Sequence, residues 1–368
     1  MKLKIFTICY LLICAGFVSY SQSKKSIGFE IQGYISGIDD GTKIYLYDLD
    51  AQTTLDSTFS TQGNFKLAGH VEGPTICWVR CKDEAATILV ENRPISFKAS
   101  LHDMSFNAVV KGGKEQDLHN ELRSKQYPYD KIFHSALDSV RNKLYTSNED
   151  KKRLIDLCNN TQTDSHNIYI DFGKRHPNSV LGLDIIYRNR EQIGRDTVKL
   201  LLSRLDKNLK ASSKAKALAL FSNGELVYKG ASFIDFEVKT LEGEMFKLSS
   251  LKGNFILLDF WSIGCGPCRE MNKLMSKNYD RLKNKISIVS FSLDKHRSDW
   301  QKASKQDNIL WFNVSDLEGE SGKIKTQYGV QTIPTSFLID RQGKIVEKFT
   351  GYDGEDFISS LEKLIQRN

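Results

Sequence analysis

The run Phe255-Ile256-Leu257-Leu258-Asp259-Phe260 is apolar at every place but one. A half-exposed strand alternates apolar and polar side chains, whereas an unbroken apolar run marks a strand covered on both faces. Such a strand needs helices above and below it, which restricts the fold around it to an α/β class. The residues that follow agree. Cys268, Met271, Met275, Tyr279 and Leu282 recur at three- and four-residue steps, so 266–285 reads as an amphipathic helix. A second strand is expected at 286–291, helices at 299–306 and 321–328, and two strands at 335–339 and 344–349 across Arg341-Gln342-Gly343. A closing helix is expected at 356–366. This order is a βαβ crossover followed by a hairpin and a helix, hence a mixed sheet with helices on both faces.

The rest of the 368 residues has two other textures. From about 27 to 110, short runs with period two, such as Phe29-Glu30-Ile31-Gln32-Gly33-Tyr34-Ile35, are separated by the turn signals Asp39-Asp40-Gly41, Gln62-Gly63-Asn64 and Gly73-Pro74. Six to eight strands in a small antiparallel sandwich or barrel-like module are expected. From about 113 to 222 the chain is charge-rich, and helices are expected at 114–125, 129–147, 149–174, 180–190 and 195–209. His176-Pro177-Asn178-Ser179 stops one helix and caps the next. At the N-terminus, Lys2 and Lys4 precede an uncharged apolar stretch, 5–18, and then Ser19-Tyr20-Ser21. That pattern is a secretory signal, too short for a membrane span. The expected division is therefore a signal at 1–21, a β-rich domain at 22–111, a helical connector at 112–228 and an α/β domain at 229–368. The expected location is the periplasm or cell envelope, with membrane contact only if the signal stays uncleaved. The net charge of +7 lacks a basic block interleaved with aromatics, which argues against nucleic acid as a partner.

Seven cysteines are too few for a disulfide-built scaffold. Cys9 and Cys14 leave with the signal, and Cys77, Cys81 and Cys158 read as small buried hydrophobes. Cys265-Gly266-Pro267-Cys268 stands apart because it joins the buried strand to the helix. Cys265 falls at the helix N-terminus, where unpaired N–H groups and the dipole favour a thiolate. Cys268, one turn on, is placed to resolve a mixed disulfide, and Pro267 suits an early helical position. Half a zinc site would need a second ligand pair, which neither Cys77 and Cys81 nor any His pair supplies. A purely structural bridge over so short a loop would stabilise little. Asp259 is a carboxylate in the buried strand, costly there unless it has a role, and burial would raise its pKa and let it relay a proton to or from Cys268. Pro334, in Thr332-Ile333-Pro334-Thr335, would remove an N–H beside the sulfurs and present the Ile333 backbone to an extended substrate.

The stretch Leu258-Asp259-Phe260-Trp261-Ser262-Ile263-Gly264-Cys265-Gly266-Pro267-Cys268-Arg269 resembles the active-site segment of thioredoxin-fold proteins, and Thr332-Ile333-Pro334-Thr335 with Gly343-Lys344-Ile345-Val346 resembles their cis-proline segment. Ser290-Phe291-Ser292-Leu293-Asp294 and Trp300 are similar to the TlpA/ResA-like branch of the AhpC/TSA-redoxin superfamily. The likeness covers about 230–366. Residues 27–110 resemble an uncharacterised β-rich domain fused ahead of such modules, through Asp56-Ser57-Thr58 and Gly63-Asn64-Phe65. The resemblance implies an exported thiol-disulfide oxidoreductase, acting as a reductase on protein substrates and recharged by an envelope electron donor, with no cofactor and no metal. Cys265, Cys268, Asp259 and Pro334 would carry the chemistry, and Trp261, Gly264, Gly266, Pro267, Thr332 and Ile333 would meet the substrate. Gly264 departs from the family's tryptophan and should open the surface beside Cys265. A peroxiredoxin-like peroxidase is a weaker alternative, because Ser262 stands where that chemistry needs threonine. An envelope binding or assembly protein with a non-catalytic dithiol is the third reading.

Overall fold

The computed structural model describes residues 28–224 and 227–367. The segment read as an export signal, with Cys9 and Cys14, lies outside them.

The N-terminal module holds eight strands: β1 (Phe29–Ser36), β2 (Lys43–Asp48), β3 (Thr53–Phe59), β4 (Asn64–Gly69), β5 (Thr75–Cys81), β6 (Glu84–Val90), β7 (Pro94–Ser100) and β8 (Val109–Lys111). They form two sheets, ordered β4-β1-β7-β8 and β3-β2-β5-β6. Alternate residues of both, among them Ile31, Ile35, Leu46, Val79 and Ile88, meet in one core. Cys77 and Cys81 lie in that core as free thiols, and Cys158 is likewise free and buried. The module is not antiparallel throughout: β1 and β7 run parallel, from Glu30 opposite Pro94 to Ser36 opposite Ser100. The chain between them visits the other sheet, and this long crossover brings β7 in from the same end as β1.

The middle segment is helical, with one long hairpin, Lys114–Arg141 packed on Asn148–Arg175. The break expected near residue 127 is absent, and Pro128 sits inside the first helix. Packing against the second helix offsets the backbone bond that proline removes. The helix expected at 195–209 is two, Arg195–Ser203 and Lys207–Ala211, because Asp206 caps the latter through Leu209 N–H. A further helix, Ser213–Asn223, went unexpected since buried Lys214 interrupts its apolar face.

The C-terminal domain is a thioredoxin-like α/β fold. Its strands are β9 (Glu237–Thr240), β10 (Met245–Lys247), β11 (Ile256–Trp261), β12 (Ser287–Ser292), β13 (Phe312–Ser315), β14 (Thr335–Ile339) and β15 (Ile345–Thr350), in the order β10-β9-β13-β12-β11-β14-β15. β11 is central, parallel to β12 and antiparallel to β14. It is buried at all six residues. Ile256, Leu258 and Phe260 pack on Phe291, Tyr328 and Phe337, while Leu257 faces Met271, Leu274 and Met275 of the helix Gly266–Lys277. β9, β10 and β13 have three or four residues each, too few to show a period in the sequence.

The three parts touch. Ile76 and Leu89 of the β module share a core with Leu122, Phe172, Leu181 and Ile185 of the helices. In the turn after β2, Gln52 Oε1 accepts from Lys295 N–H at 3.0 Å, and Ala51 O lies 3.0 Å from His296 Nε2. His296, just ahead of the helix Arg297–Gln306, thus binds the β module.

Candidate active site

β11 ends at Trp261, and Cys265 then becomes the N-cap of the helix Gly266–Lys277, with Pro267 in its first turn. Cys268 N–H donates to Cys265 Sγ at 3.2 Å, as it would to a capping hydroxyl. The two cysteines form a disulfide with Cα atoms 5.2 Å apart. Their exposures differ: Cys265 is half-buried and Cys268 is fully buried. A sulfur at a helix N-terminus is stabilised as an anion by the unpaired N–H groups around it. Gly264, Gly266 and Pro267 are exposed beside Cys265, and a Cβ on Gly264 would meet no atom within 4 Å.

Trp261 is placed otherwise than the sequence suggests. It is fully buried, packed with Cys268, Trp300 and Ala303, so it backs the dithiol and faces no solvent.

The approach to Cys265 is held by groups that the sequence analysis assigned no role. Asp294 is buried and accepts from Ile263 N–H at 3.0 Å and from Ser292 Oγ at 2.8 Å. Burial pushes its carboxyl up, although both bonds oppose this. Arg269, next to Cys268, makes a two-pronged ion pair with fully buried Asp307, including an Nη2 contact of 2.8 Å. It also reaches Gln306 Oε1 at 3.0 Å. The dithiol helix is thereby tied to the end of the helix Arg297–Gln306. The signal for Asp294 was its place directly after a buried strand; for Arg269 and Asp307, 38 residues apart, there was none.

Asp259 is fully buried in β11. Its register partner is Ser336 of β14, whose hydroxyl donates to Oδ1 at 2.9 Å, while Oδ2 has no partner. Desolvation raises its pKa to about 7, against the Ser336 bond. By strand alternation it lies on the face of Leu257 and Trp261, under the dithiol helix. Pro334 begins the other wall. The Ile333–Pro334 bond is cis, and Ile333 joins the cluster of Trp261, Cys268 and Cys265. Thr332 is exposed, and its carbonyl accepts from Thr335 Oγ1 at 2.7 Å. Among the described residues, nothing hydrogen-bonds to the Ile333 peptide groups.

Residues 230–348 match the AhpC/TSA family, and residues 29–119 match a domain of unknown function (DUF4369). The chain is 34% identical over 148 residues to a thiol-disulfide oxidoreductase ResA of Bacillus cereus, covering 40% of this chain and 82% of that protein. ResA of Bacillus anthracis is 33% identical over 146 residues, 39% of this chain and 83% of its own. Among solved structures, the thioredoxin domain of a thiol-disulfide oxidoreductase from Bacteroides vulgatus is 28% identical, with 38% of this chain and 99% of that one covered and a TM-score of 0.35. With a third of residues shared across most of the relatives' length, the chain belongs to the AhpC/TSA family and, within it, to the ResA-like thiol-disulfide oxidoreductases.

Proposed function

We propose that the protein is exported through a cleaved signal at 1–21 and acts in the cell envelope as a disulfide reductase of other proteins, using Cys265 as nucleophile and Cys268 as resolving thiol. The observation that carries this reading is the asymmetry of the pair. One sulfur is reachable and sits at a helix N-terminus, and the other is sealed beneath it. The Cys265 thiolate attacks one sulfur of the partner's disulfide. A Cys265–partner bond forms, and the partner's other sulfur leaves as a thiolate that takes a proton. Cys268 then gives up its proton and attacks Cys265 Sγ, forming the Cys265–Cys268 bond and releasing the second partner sulfur. The partner gains two electrons and the dithiol loses two, which a dithiol electron donor of the envelope restores.

Asp259 accepts the proton from Cys268. A carboxyl poised at about 7 can take a proton at neutral pH and return it, which one at 3.8 cannot do as readily. The loop residues Gly264, Gly266, Pro267 and Thr332 border the partner, and the free Ile333 peptide groups pair with its backbone in the manner of an added strand. We divide the chain functionally at 21/22, 111/112 and 228/229.

The test is reduction of a disulfide-bonded protein by the pre-reduced chain. Cys265→Ser is expected to abolish it, and Cys268→Ser to accumulate a mixed disulfide with the substrate on a non-reducing gel. Full activity in Cys265→Ser would refute the assignment.

A further inference from the structure

Arg190 is 2% exposed, among the largest fully enclosed side chains of the described residues, and belongs to the helical segment. Its guanidinium is not neutralised: among the described residues no carboxylate forms an ion pair with it. It lies instead over the Tyr187 ring at 4.8 Å and the Phe221 ring at 5.9 Å. Its Nη1 donates to Tyr187 O at 2.8 Å and its Nη2 donates to Val330 O at 3.1 Å, 140 residues away, while Nε has no partner. A buried cation without a counter-ion is a poor way to stabilise a fold, since an apolar side chain of similar volume would fill the space at less desolvation cost. What only arginine supplies is a rigid fork that fixes two carbonyls relative to each other. One belongs to the helical segment. The other begins the arm Val330-Gln331-Thr332-Ile333-Pro334 beside the dithiol.

Two neighbouring contacts hold the same region. Tyr187 Oη donates to Glu320 O, and Lys348 Nζ donates to Gly329 O at 3.1 Å. The dithiol loop is secured separately, by Asp294 and by Arg269 with Asp307.

We infer that Arg190 is a positioning residue for the substrate-facing arm, so that the helical segment sets how the Ile333 backbone is offered to a protein substrate. This rests on the reading of the protein as a reductase of protein disulfides. The consequence is a selective defect. A folded or extended protein disulfide needs the arm, whereas a small disulfide reaches Cys265 without it. Full-length Arg190→Met should raise KM for a protein disulfide about three- to tenfold, the effect of losing one such hydrogen bond. kcat, the Cys265–Cys268 reduction potential and turnover of 5,5′-dithiobis(2-nitrobenzoate) should stay at wild-type values. Arg190→Lys keeps the charge and one donor and should recover part of the KM; it also serves if the methionine variant does not fold. An unchanged KM in the folded variants would overturn the inference, as would equal loss toward both disulfides or a shifted potential. If the wild-type chain reduces the small disulfide and no protein disulfide, the functional reading fails, and the inference fails with it for that separate reason.

Discussion

Asp259 gives the residue scale its clearest consequence. Its carboxyl titrates near 7 in the folded chain and near 3.8 when exposed, because β11 is sealed on both faces. The folded state therefore holds a proton that the unfolded state has lost between those two values. Stability is full below about 3.8, falls as pH rises toward 7, and levels off above it, by up to about 4 kcal/mol for this one group. Asp259→Asn keeps an acceptor for Ser336 and removes the titration. Urea unfolding at pH 5 and pH 8 should show the variant gaining stability relative to wild type at the higher pH. In the same variant, resolution of a Cys265 mixed disulfide should slow about a hundredfold, as expected for loss of a proton acceptor; stopped-flow thiol release measures it. Gly264 is the opposite case. A side chain there meets open space, so Gly264→Trp should change stability by less than about 0.5 kcal/mol while altering KM among protein substrates. The dithiol, Asp259 and Pro334 were all legible as single residues in local context. Trp261 was legible as belonging to the site but not as buried behind it, since burial depends on Trp300 and Ala303, which the sequence places elsewhere.

At the scale of elements, the strand–helix junction works because its loop is pinned from two sides. Arg269 and Asp307 join the two helices that flank the dithiol, and Asp307 is fully enclosed. Arg269→Met leaves that carboxylate buried with only Asn272 Nδ2 at 3.3 Å. A loss of about 3–5 kcal/mol in unfolding free energy is expected from chemical denaturation. β11 could be read from its unbroken apolar run and the helix after it from its three- and four-residue steps, although the helix expected at 266–285 is two, Gly266–Lys277 and Tyr279–Leu282. The β9–β10 hairpin and β13 could not, because three or four residues carry no period. Pro128 misled in the other direction: a local rule against proline inside a helix yields to 28 residues of packing.

At the scale of the molecule, the three segments form a continuous set of contacts. Lys214 is the clearest joint. Its Nζ lies 2.7 Å from Asp50 of the β module and 2.8 Å from buried Asp184 of the helical segment. Burial opposes the charge on Asp184, yet Lys214 and Arg188 hold its carboxyl below the usual range. Lys214→Met should lower stability by about 3 kcal/mol, read as a shift in denaturant midpoint. Near the dithiol, Ala51 and Gln52 brace the loop Leu293–His296, whose Asp294 holds Ile263. The β module therefore reaches within one loop of Cys265. None of this was visible in the chain, where the upstream two-thirds read only as strands and solvated helices.

By itself the sequence determined the local pattern: which strand is buried on both faces, where the next helix starts, and that a cysteine stands at that start. These follow from short-range patterning and from the geometry of a single helix end. Only the tertiary structure decided which groups surround that thiol. The parallel pairing of β1 with β7, the seating of Trp261, and the bonds of Asp294, Arg269 and Arg190 join residues distant in the chain. Such contacts are selected by whether the whole set of faces can pack at once, a condition no local stretch of sequence contains.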